Sequence, residues 1–454
     1  MGGAVFNTVV ARHPGQAGSI PVRLRWSAEP MAVAAGRLHP VLAAADTLLM
    51  AKQRSAPQEQ VADLLRTAKG ALQLSVAFLS RLDGTTQHLE VVESSVPFLF
   101  KEGVTQTQAT TLCQAILDGK LPPVIPDLRK YPEAMKLPAA RMPRIRSYVS
   151  VPVVLSDGTI YGTFCAAGLT TDKGLTRRDQ ALMEVLAHAA VVIIEPGIRE
   201  QARRDEIEER VRPVIAAGGP VVVLQPIVRL RDRRRVGAEA LSRFPADWGR
   251  APDTCFEEAH DIDLGHTLEL LALERAADLL RHVGGYVSMN VSPATLLTPG
   301  CAALLRRMPL DRVLLELSEH DRVDDYDLLT GALRDLRERG MRLAIDDVGA
   351  GYSSLRHIVL TSPDVLKLDR SIVTGVGADK VLATLVRSLV DFGHGSGAEI
   401  VAEGVETADD ADACTDLGVD HGQGWHFGRP GPANLLDPVQ DAEPSTPPVA
   451  RALH

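Results

Sequence analysis

From about residue 215 to residue 430, short apolar runs alternate with stretches whose apolar residues recur at helical spacing. Runs of this length between turn-forming residues predict strands, and the stretches between them predict helices. Eight runs have strand character, and they are Val221–Val228, Arg235–Arg243, Tyr286–Val291, Val313–Leu317, Arg342–Ile345, Val365–Leu368, Glu399–Ala402 and Gly424–Phe427. Because eight strands alternating with helices can close into a barrel, we expect an α/β fold with a TIM-like (β/α)8 barrel here.

The N-terminal half has strands of another kind, which pair across short turns. Apolar stretches flank the turns Asp83-Gly84 and Asp157-Gly158, and each pair of stretches predicts an antiparallel hairpin. A helix then begins after Thr176, with Asp179 as the second member of a capping box. The pattern predicts a separate α/β domain with an antiparallel sheet at residues 36–196.

Between the two halves, Pro196-Gly197 is followed by a dense run of charged residues. We interpret residues 197–213 as a linker helix that leads into a barrel domain at residues 205–432. The apolar residues of this helix form one stripe, which consists of Ile198, Ala202, Ile207 and Val211. The stripe either pairs two subunits or packs on its own domain, and the sequence leaves both interpretations open.

Both ends of the chain lack periodic patterning. Residues 1–35 are rich in Gly, Pro and Arg and carry one acidic residue, Glu29, so we expect them to be disordered. The alternative is that the natural chain starts at Met31. Residues 433–454 contain four prolines and also predict a disordered tail.

Composition narrows the choice of partners and compartment. The formal net charge of −9 and the pI near 5.8 argue against a nucleic-acid polymer or a membrane as partner, because binding polyanions needs a clustered positive field. The five cysteines are scattered without a CxxC pair, which argues against a zinc site and fits a reducing cytoplasm. We find no apolar run of the ~18–20 residues that a membrane helix requires, so we expect a soluble cytoplasmic protein.

Polar side chains recur near the carboxyl ends of the predicted barrel strands, where barrel active sites form. They are Glu239, Asn290, Glu316, Asp346, Asp347, Lys367, Glu403 and Gln423. Taken singly, each carboxylate could be a helix cap or half of a surface ion pair. Together, five carboxylates at one mouth would repel unless divalent cations neutralise them, and oxygen ligands without Cys or His favour Mg²⁺ or Mn²⁺. Two such ions could support phosphodiester hydrolysis.

The sequence motifs around these residues are specific to one family. Eight motifs occur in order, and they are Gln225-Pro226-Ile227, Glu239-Ala240-Leu241-Ser242-Arg243, Asn290-Val291-Ser292, Glu316-Leu317-Ser318-Glu319, the run from Asp346 to Leu355, Lys367-Leu368-Asp369, Glu403-Gly404-Val405-Glu406 and Gln423-Gly424. Over residues 205–432 the chain closely resembles the EAL-domain cyclic di-GMP phosphodiesterases. The resemblance implies hydrolysis of cyclic di-GMP to linear pGpG with two Mg²⁺ or Mn²⁺ ions per active site.

The resemblance also implies a role for each matching residue. The implied metal ligands are Glu239, Asn290, Glu316 and Asp346 for the first ion, and Asp346 with Asp347 for the second. The implied catalytic residues are Lys367 beside the attacking water or the phosphate, Glu403 as general base or water-mediated metal contact, and Glu319 as anchor of the glycine-rich loop after Asp347. The implied substrate contacts are Gln225, Leu241, Arg243, Asp369 and Gln423. Two departures, Val348 in place of the family's phenylalanine and the unusual stretch Ala251–Leu268, remove no ligand.

The N-terminal domain resembles a GAF sensor domain over residues 36–196. The resemblance rests on the arrangement of its hairpins and helices and on the words from Cys113 to Gly119 and from Ser147 to Pro152. GAF domains bind cyclic nucleotides, tetrapyrroles or other small molecules, and many have no known ligand, so the partner here is an unknown small molecule or none. We expect this domain to regulate the barrel within a homodimer, through the linker helix.

Two rival functions compete with a hydrolase. The barrel could bind cyclic di-GMP without cleaving it and act as a receptor, or it could be a scaffold for a GAF-centred sensor. Both rivals usually go with missing ligands, and every implied ligand is present in this sequence. The chain lacks wording that resembles a GGDEF synthase, so we expect degradation of the nucleotide and not its synthesis.

Overall fold

The computed structural model describes residues 56–96, 100–141, 145–318, 323, 325–349 and 354–436. The prediction of disorder for residues 1–35 lies outside these residues. So does the tail prediction from residue 437 onward, whereas Ala433–Leu435 forms a short 3-10 helix. The chain divides between Ala202 and Arg203 into two compact units.

In its described residues, the N-terminal unit contains one sheet, four α-helices and the first part of a fifth, which continues past Ala202. The strands are β1 (Val76–Leu82), β2 (Thr86–Ser94), β3 (Thr105–Thr107), β4 (Val124–Ile125), β5 (Ser147–Val154) and β6 (Ile160–Gly168). The α-helices are α1 (Pro57–Leu72), α2 (Leu112–Leu117), α3 (Pro132–Lys136), α4 (Pro138–Arg141) and α5 (Arg177–Ala216), with 3-10 helices at Gln108–Thr110 and Leu128–Lys130. The sheet is antiparallel in the order β3-β2-β1-β6-β5-β4, and β1–β2 and β5–β6 are the two predicted hairpins.

Both faces of this sheet are covered. Successive strand residues point to opposite faces, so Leu79 joins one buried cluster and its neighbour Phe78 joins another. The first cluster is closed by α1 and the start of α5, which contribute Val61, Leu65 and Met183. The second lies against α2 and the loops around β4, and it contains Cys113 and Cys165.

Helix α5 corrects the predicted linker. Residues 197–213 are not a separate helix but the second half of α5, which begins at Arg177 and runs through Pro196. An interior proline removes one backbone hydrogen bond at a cost of about 3 kcal/mol, and the helix nevertheless continues from Glu195 through Pro196 and Gly197. The predicted capping box is confirmed, because the Thr176 N–H donates to the Asp179 carboxylate over 2.8 Å.

At the C-terminal end of α5, the apolar stripe packs within the barrel unit. Ile207 and Val211 are each 1% exposed and pack with Ala259, Ile262 and Leu268 of the barrel unit. The packing interpretation therefore holds for these two residues. Ala202 is exposed and Ile198 is half-buried.

One helix in the described part of the chain, α5, is long and apolar enough over an 18-residue stretch to cross a membrane by length and composition alone. The sequence analysis expected no such run. A share of 28% of that stretch is buried, and Met183, Leu186 and Ala190 belong to the N-terminal core, which accounts for part of its apolar character.

The C-terminal unit is a closed barrel of eight strands. They are β7 (Val221–Arg229), β8 (Arg234–Arg243), β9 (Tyr286–Asn290), β10 (Val313–Ser318), β11 (Arg342–Val348), β12 (Val365–Leu368), β13 (Glu399–Ala402) and β14 (His421–Gln423). The α-helices are α6 (Pro252–Asp261), α7 (Gly265–Leu279), α8 (Pro293–Leu296), α9 (Pro299–Leu305), α10 (Tyr326–Arg337), α11 (Ser354–Thr361), α12 (Arg370–Val373), α13 (Lys380–Ser396) and α14 (Ala408–Asp416). Further 3-10 helices are Ala246–Trp248, Leu280–His282 and Leu310–Arg312.

The eighth strand was predicted in the wrong place. The prediction was Gly424–Phe427, whereas β14 is His421–Gln423 and the chain leaves the sheet at Gly424. At that point the backbones of Gly424 and Val405 approach so closely that a Cβ on Gly424 would lie 2.1 Å from the Val405 carbonyl oxygen. The glycine therefore marks the exit from the strand.

The first strand, β7, runs against its two neighbours. It pairs antiparallel with β8 and with β14, whereas the other neighbouring strands pair in parallel. The register sets Gln225 of β7 opposite Glu239 of β8. Beyond Ala240, β8 pairs with β7 alone, so Glu239 lies in the middle of its strand and not at its end as predicted.

A candidate metal centre at the mouth of the barrel

The polar centre of the barrel is built around one buried lysine. The Lys367 side chain is 1% exposed, and its Nζ atom lies 2.7 Å from Glu403 Oε1, 2.9 Å from Glu316 Oε1, 3.1 Å from Asp346 Oδ2 and 3.6 Å from Glu239 Oε2. Four strands and the residue after β13 therefore bring these charges together. One ammonium group faces four carboxylates, so the cluster has an excess of negative charge.

The carboxylates fall into two groups with ligand spacing. One oxygen from each of Glu239, Glu316 and Asp346 lies within 4.8 Å of the others, and the same holds for Asp346, Asp347 and Glu403. Asp346 belongs to both groups. A carboxylate shared between two sets of hard oxygen atoms is the arrangement expected of two neighbouring divalent cations.

Hydrogen bonds fix the orientation of these ligands. Asn290 Nδ2 donates to Glu239 Oε1 over 3.1 Å, which leaves the Asn290 carbonyl oxygen for another partner. Gln423 donates to Glu239 Oε2 and, over 3.1 Å, to Gln225 Oε1. Ser288, which points inward from β9, donates to Glu316 Oε1.

Two buried oxygens in this cluster have no hydrogen-bond partner among the described residues, and they are Glu316 Oε2 and Gln423 Oε1. An unpaired buried acceptor costs about 1–3 kcal/mol, and more when it is charged. Glu316 is 0% exposed, so solvent water does not reach this oxygen to replace the missing hydrogen bond. The unpaired Glu316 oxygen is a direct sign that these residues fit a cation.

The charge imbalance also moves the pKa values of the cluster. Burial raises the pKa of Glu316 and of Glu403 well above the usual range, and neighbouring carboxylates add to this effect while Lys367 opposes it. Burial likewise raises the pKa of Asp346. At Glu239, Lys367 and the hydrogen bonds outweigh burial, so its pKa is lowered. The four carboxylates hold the pKa of Lys367 well above its usual value, although burial acts to lower it.

The backbone after Asp346 is strained. Asp347 has a φ of 59°, in the left-handed region that non-glycine residues rarely adopt, and its N–H donates to Asp346 Oδ1 over 2.9 Å. Strain of this kind costs about 1–3 kcal/mol and is concentrated at functional sites. Gly349 follows with a φ of 106°, and a Cβ there would lie 2.7 Å from Ile372 Cδ1. The second predicted loop glycine, Gly351, lies outside the described residues.

A cavity of about 720 Å³ opens above the cluster. Glu239, Glu316, Asp346, Asp347 and Glu403 line its floor. Its wall is lined by Arg243, Arg370, Glu269, Phe256 and Trp425. The volume is in the range of small-molecule sites.

Two family models match separate parts of this chain. The family model described as EAL domain matches residues 208–430, and the one described as GAF domain matches residues 56–194. An uncharacterized protein of Mycobacterium tuberculosis is 30% identical over 277 residues, which cover 55% of this chain and 89% of that protein. The chain belongs to the EAL-domain family. Its N-terminal part is a GAF domain, as predicted.

Two solved structures illustrate the likeness of the EAL domain. The phosphodiesterase PaMucR, described in complex with c-di-GMP, is 27% identical, with a TM-score of 0.46 and coverage of 50% of this chain and 98% of that one. The EAL domain of Mycobacterium smegmatis DcpA is 28% identical, with a TM-score of 0.40 and coverage of 48% and 93%.

Most of the residues predicted for the EAL site meet at this cavity. The predicted ligands line it with Gln225, Leu241, Arg243 and Gln423, and Lys367 lies buried beneath them. Asp369 does not line it: its carboxylate accepts the Ser371 N–H over 2.9 Å as the N-cap of α12. The neighbouring Arg370 lines the cavity instead. Glu319 lies outside the described residues.

Sequence reasoning missed several residues that support the EAL site. Ser288 was hidden as one small residue between Val287 and Met289 in an apolar strand. Glu269 on α7 accepts the N–H and the hydroxyl of Ser292 over 2.9 and 3.0 Å, and also contacts His260. These bonds hold the loop that follows Asn290. The available signal was the position of this glutamate, because Glu269 directly follows the stretch Ala251–Leu268, where the sequence departs from the family pattern.

Proposed function

We propose that the EAL domain hydrolyses cyclic di-GMP to linear pGpG with two Mg²⁺ or Mn²⁺ ions, and that the GAF domain regulates this reaction. The observation that carries the proposal is Asp346, whose carboxylate belongs to both groups of ligand atoms. A receptor that only binds the nucleotide would not need a second group of carboxylates. The unpaired Glu316 oxygen supports occupancy of the first group by a cation.

The residues divide into holders of the ions and residues that act on the substrate. Glu239, Asn290, Glu316 and Asp346 would hold one ion, and Asp346 with Asp347 the other. When bound, such ions lower the pKa of water and neutralise charge that develops on phosphate oxygens. The absence of Cys and His from both groups favours Mg²⁺ or Mn²⁺ over zinc.

Glu403 and Lys367 are suited to the proton and charge changes of the reaction. Glu403 lines the cavity, so it can accept the proton of an attacking water. Its Oε1 atom lies 2.7 Å from Lys367 Nζ. When Glu403 takes up a proton, it loses its negative charge, and the net charge around the Lys367 ammonium group becomes less negative. Lys367 keeps its proton, because the carboxylates around it raise its pKa.

Two arginines at the cavity wall are suited to a substrate with two phosphates. Arg243 donates one N–H to the Ser242 carbonyl over 2.8 Å, and Arg370 is exposed at the start of α12. A guanidinium group binds phosphate through parallel hydrogen bonds. We assign both to phosphate contacts, with Gln225, Leu241 and Gln423 near the nucleotide.

Regulation, assembly and location complete the proposal. Helix α5 contributes Met183 to the GAF core and Ile207 to the core of the barrel unit, so one helix is common to both domains. We propose that it transmits the GAF signal, whose ligand is a small molecule or none. A homodimer is also proposed, but Ile207 and Val211 are already buried and cannot supply its contacts. We propose a cytoplasmic location, where cyclic di-GMP is available.

The test is incubation of the purified full chain with cyclic di-GMP, followed by chromatography of the nucleotides. The protein is first treated with EDTA and then supplied with Mg²⁺ or Mn²⁺. We expect pGpG to appear only after a metal is restored. Nucleotide that binds but stays intact would make the protein a receptor, and nucleotide that does not bind would overturn both functions.

A further inference from the structure

The GAF domain contains two thiols in direct contact. Cys113 on α2 and Cys165 on β6 are both buried, and their sulfur atoms lie 3.4 Å apart. A disulfide bond is about 2.05 Å long, so the two sulfurs need a shift of only ~1.4 Å to join. Fifty-one residues separate them in sequence, and the packing of α2 against one face of the sheet brings them together.

Donors converge on the sulfur of Cys113. Gln87 Nε2 donates to it over 3.0 Å, and the Tyr148 hydroxyl lies 3.0 Å away. The orientation of the Gln87 amide follows from its other end, because Gln87 Oε1 accepts a hydrogen bond from Gln106 Nε2 over 2.8 Å. Gln87 therefore presents N–H groups, and not its carbonyl, to Cys113 and to Ser80. Such donors favour the thiolate form of Cys113.

The second thiol lies among groups that let it keep its proton. Cys165 Sγ lies 3.2 Å from Thr163 Oγ1, which can accept the thiol proton, and 3.2 Å from Ser150 Oγ. Burial raises the pKa of Cys165 well above its usual value. At Cys113 burial acts in the same direction, but the hydrogen bonds from Cys165, Thr163, Tyr148 and Gln87 outweigh it, so its pKa is lowered. The two sulfurs thus have different roles.

The three other cysteines provide an internal comparison. Cys255, Cys301 and Cys414 lie in α6, α9 and α14 of the EAL domain and are also buried. Burial raises the pKa of all three, to about 12 for Cys301 and Cys414. They are therefore ordinary unreactive thiols at neutral pH.

We propose that Cys113 and Cys165 form a peroxide-reactive dithiol that closes to a disulfide within the GAF domain. The Cys113 thiolate attacks one oxygen of hydrogen peroxide, the O–O bond breaks, and the departing hydroxide takes a proton to become water. Cys113 is left as a sulfenic acid. The sulfur of Cys165 then attacks that sulfur, the S–O bond breaks, and the oxygen leaves as water with the Cys165 proton. Two electrons pass from the sulfurs to the peroxide.

Burial restricts which oxidant can react. Cys113 is 2% exposed and Cys165 is 0% exposed, so a large disulfide such as oxidised glutathione cannot align with either sulfur without opening the domain. Hydrogen peroxide is little larger than water. The proposed site therefore accepts a small peroxide, and its reaction does not depend on any activity of the EAL domain.

The experiment treats the reduced full chain with hydrogen peroxide at neutral pH, alkylates the remaining thiols after denaturation, and maps the peptides by mass spectrometry. We expect loss of two thiols, a linked peptide pair joining Cys113 to Cys165 that dithiothreitol reverses, and retention of Cys255, Cys301 and Cys414. The same treatment with oxidised glutathione should leave the pair reduced. Oxidation of Cys113 and Cys165 no faster than of the other three cysteines would overturn the proposal.

Variants separate the roles of the two sulfurs. Cys165→Ser should stop at a sulfenic acid on Cys113 that dimedone traps, whereas Cys113→Ser should leave Cys165 reduced. Tyr148→Phe removes one donor from Cys113 and should slow oxidation about tenfold. Tyr161→Phe is the matched control, because that hydroxyl donates to Glu90, and its oxidation rate should equal wild type. Equal rates in both tyrosine variants would show that the donors around Cys113 do not activate it.

Discussion

The cluster around Lys367 and the network around Cys113 are both buried and both polar, but they differ in charge and in how their atoms are paired. In the GAF domain, amide and hydroxyl groups form a chain of hydrogen bonds in which donors meet acceptors, and the chain ends at the sulfur of Cys113. In the cluster of the EAL domain, four carboxylates surround Lys367, and Glu316 Oε2 has no hydrogen-bond partner among the described residues. A paired network can be part of the fold alone, whereas an excess of buried negative charge with an unpaired oxygen requires a further cation. That difference distinguishes an ion site from a polar core.

The largest effect is expected from Asp346→Asn, which removes one charge from the carboxylate shared by both ligand groups and changes little else in shape. Changes to residues that only support metal ligands typically cost 10–100-fold, and a shared ligand should cost more, about 1000-fold or greater in turnover. The measurement is pGpG formation with Mg²⁺ and with Mn²⁺.

The control for that variant is Asp391→Asn, an exposed position on α13. It removes the same charge from the protein and should leave turnover unchanged. Turnover near wild type in Asp346→Asn would contradict the assignment of two ions. An equal loss in both variants would point to net charge and not to a specific site.

The next effect is on stability, and it compares the two clusters directly. Lys367→Met leaves the four carboxylates without their cation, and breaking a buried ion pair in this way costs about 3–5 kcal/mol. Tyr148→Phe removes one hydroxyl from the network around Cys113 and should cost about 1 kcal/mol. Urea unfolding in EDTA measures both. Because divalent cations replace the lost charge, Mg²⁺ should restore part of the stability of Lys367→Met and none of that of Tyr148→Phe.

A third effect concerns whether the two domains communicate. A coupling of about 1–3 kcal/mol corresponds to a change of about 5- to 150-fold in activity. We therefore expect a truncated protein that begins at Arg203 to differ by such a factor from the full chain. This start retains Ile207 and Val211, which the barrel unit buries, so loss of the GAF domain should not expose that core. Equal specific activity at equal oligomeric state, measured with light scattering, would remove the GAF domain as a regulator.

Sequence reasoning was strongest where motif and periodicity agreed. The strands Val365–Leu368 and Glu399–Ala402 were predicted with their observed bounds, because short apolar runs between turns leave little choice. The antiparallel direction of β7 was missed although a signal existed. Only four residues separate Arg229 from Arg234, and a parallel crossover needs a dozen or more.

The site shows the same division between local and long-range information. The ligands were predicted from motifs, which record their identity but not their depth in a strand, so Glu239 was placed at a strand end. Asp369 was predicted to contact the substrate, and in the structure it caps α12 and does not line the cavity. From the sequence, Cys113 was named only as the first residue of a GAF-like motif. Its partners Gln87, Tyr148 and Cys165 come from three strands that are distant in sequence from its helix, and no pattern near residue 113 reveals them.

The smallest effect tests an intermediate case, a buried carboxylate that is charged but fully paired. Glu269 is 8% exposed, and hydrogen bonds from His260 and Ser292 lower its pKa although burial acts to raise it. By the comparison above it should position the loop after Asn290 and not bind an ion. We expect Glu269→Gln, which keeps one acceptor for Ser292, to reduce turnover about tenfold through weaker metal binding, at the low end of the effects seen for residues that orient ligands. Because a looser ligand raises the metal concentration needed, excess Mg²⁺ should restore most of the rate.

Glu274→Gln, which changes an exposed glutamate on the same helix, is the control and should behave as wild type. A loss in Glu269→Gln that no concentration of Mg²⁺ relieves would mean that the carboxylate acts on the substrate itself, and that full pairing does not separate structural from functional charges in this protein.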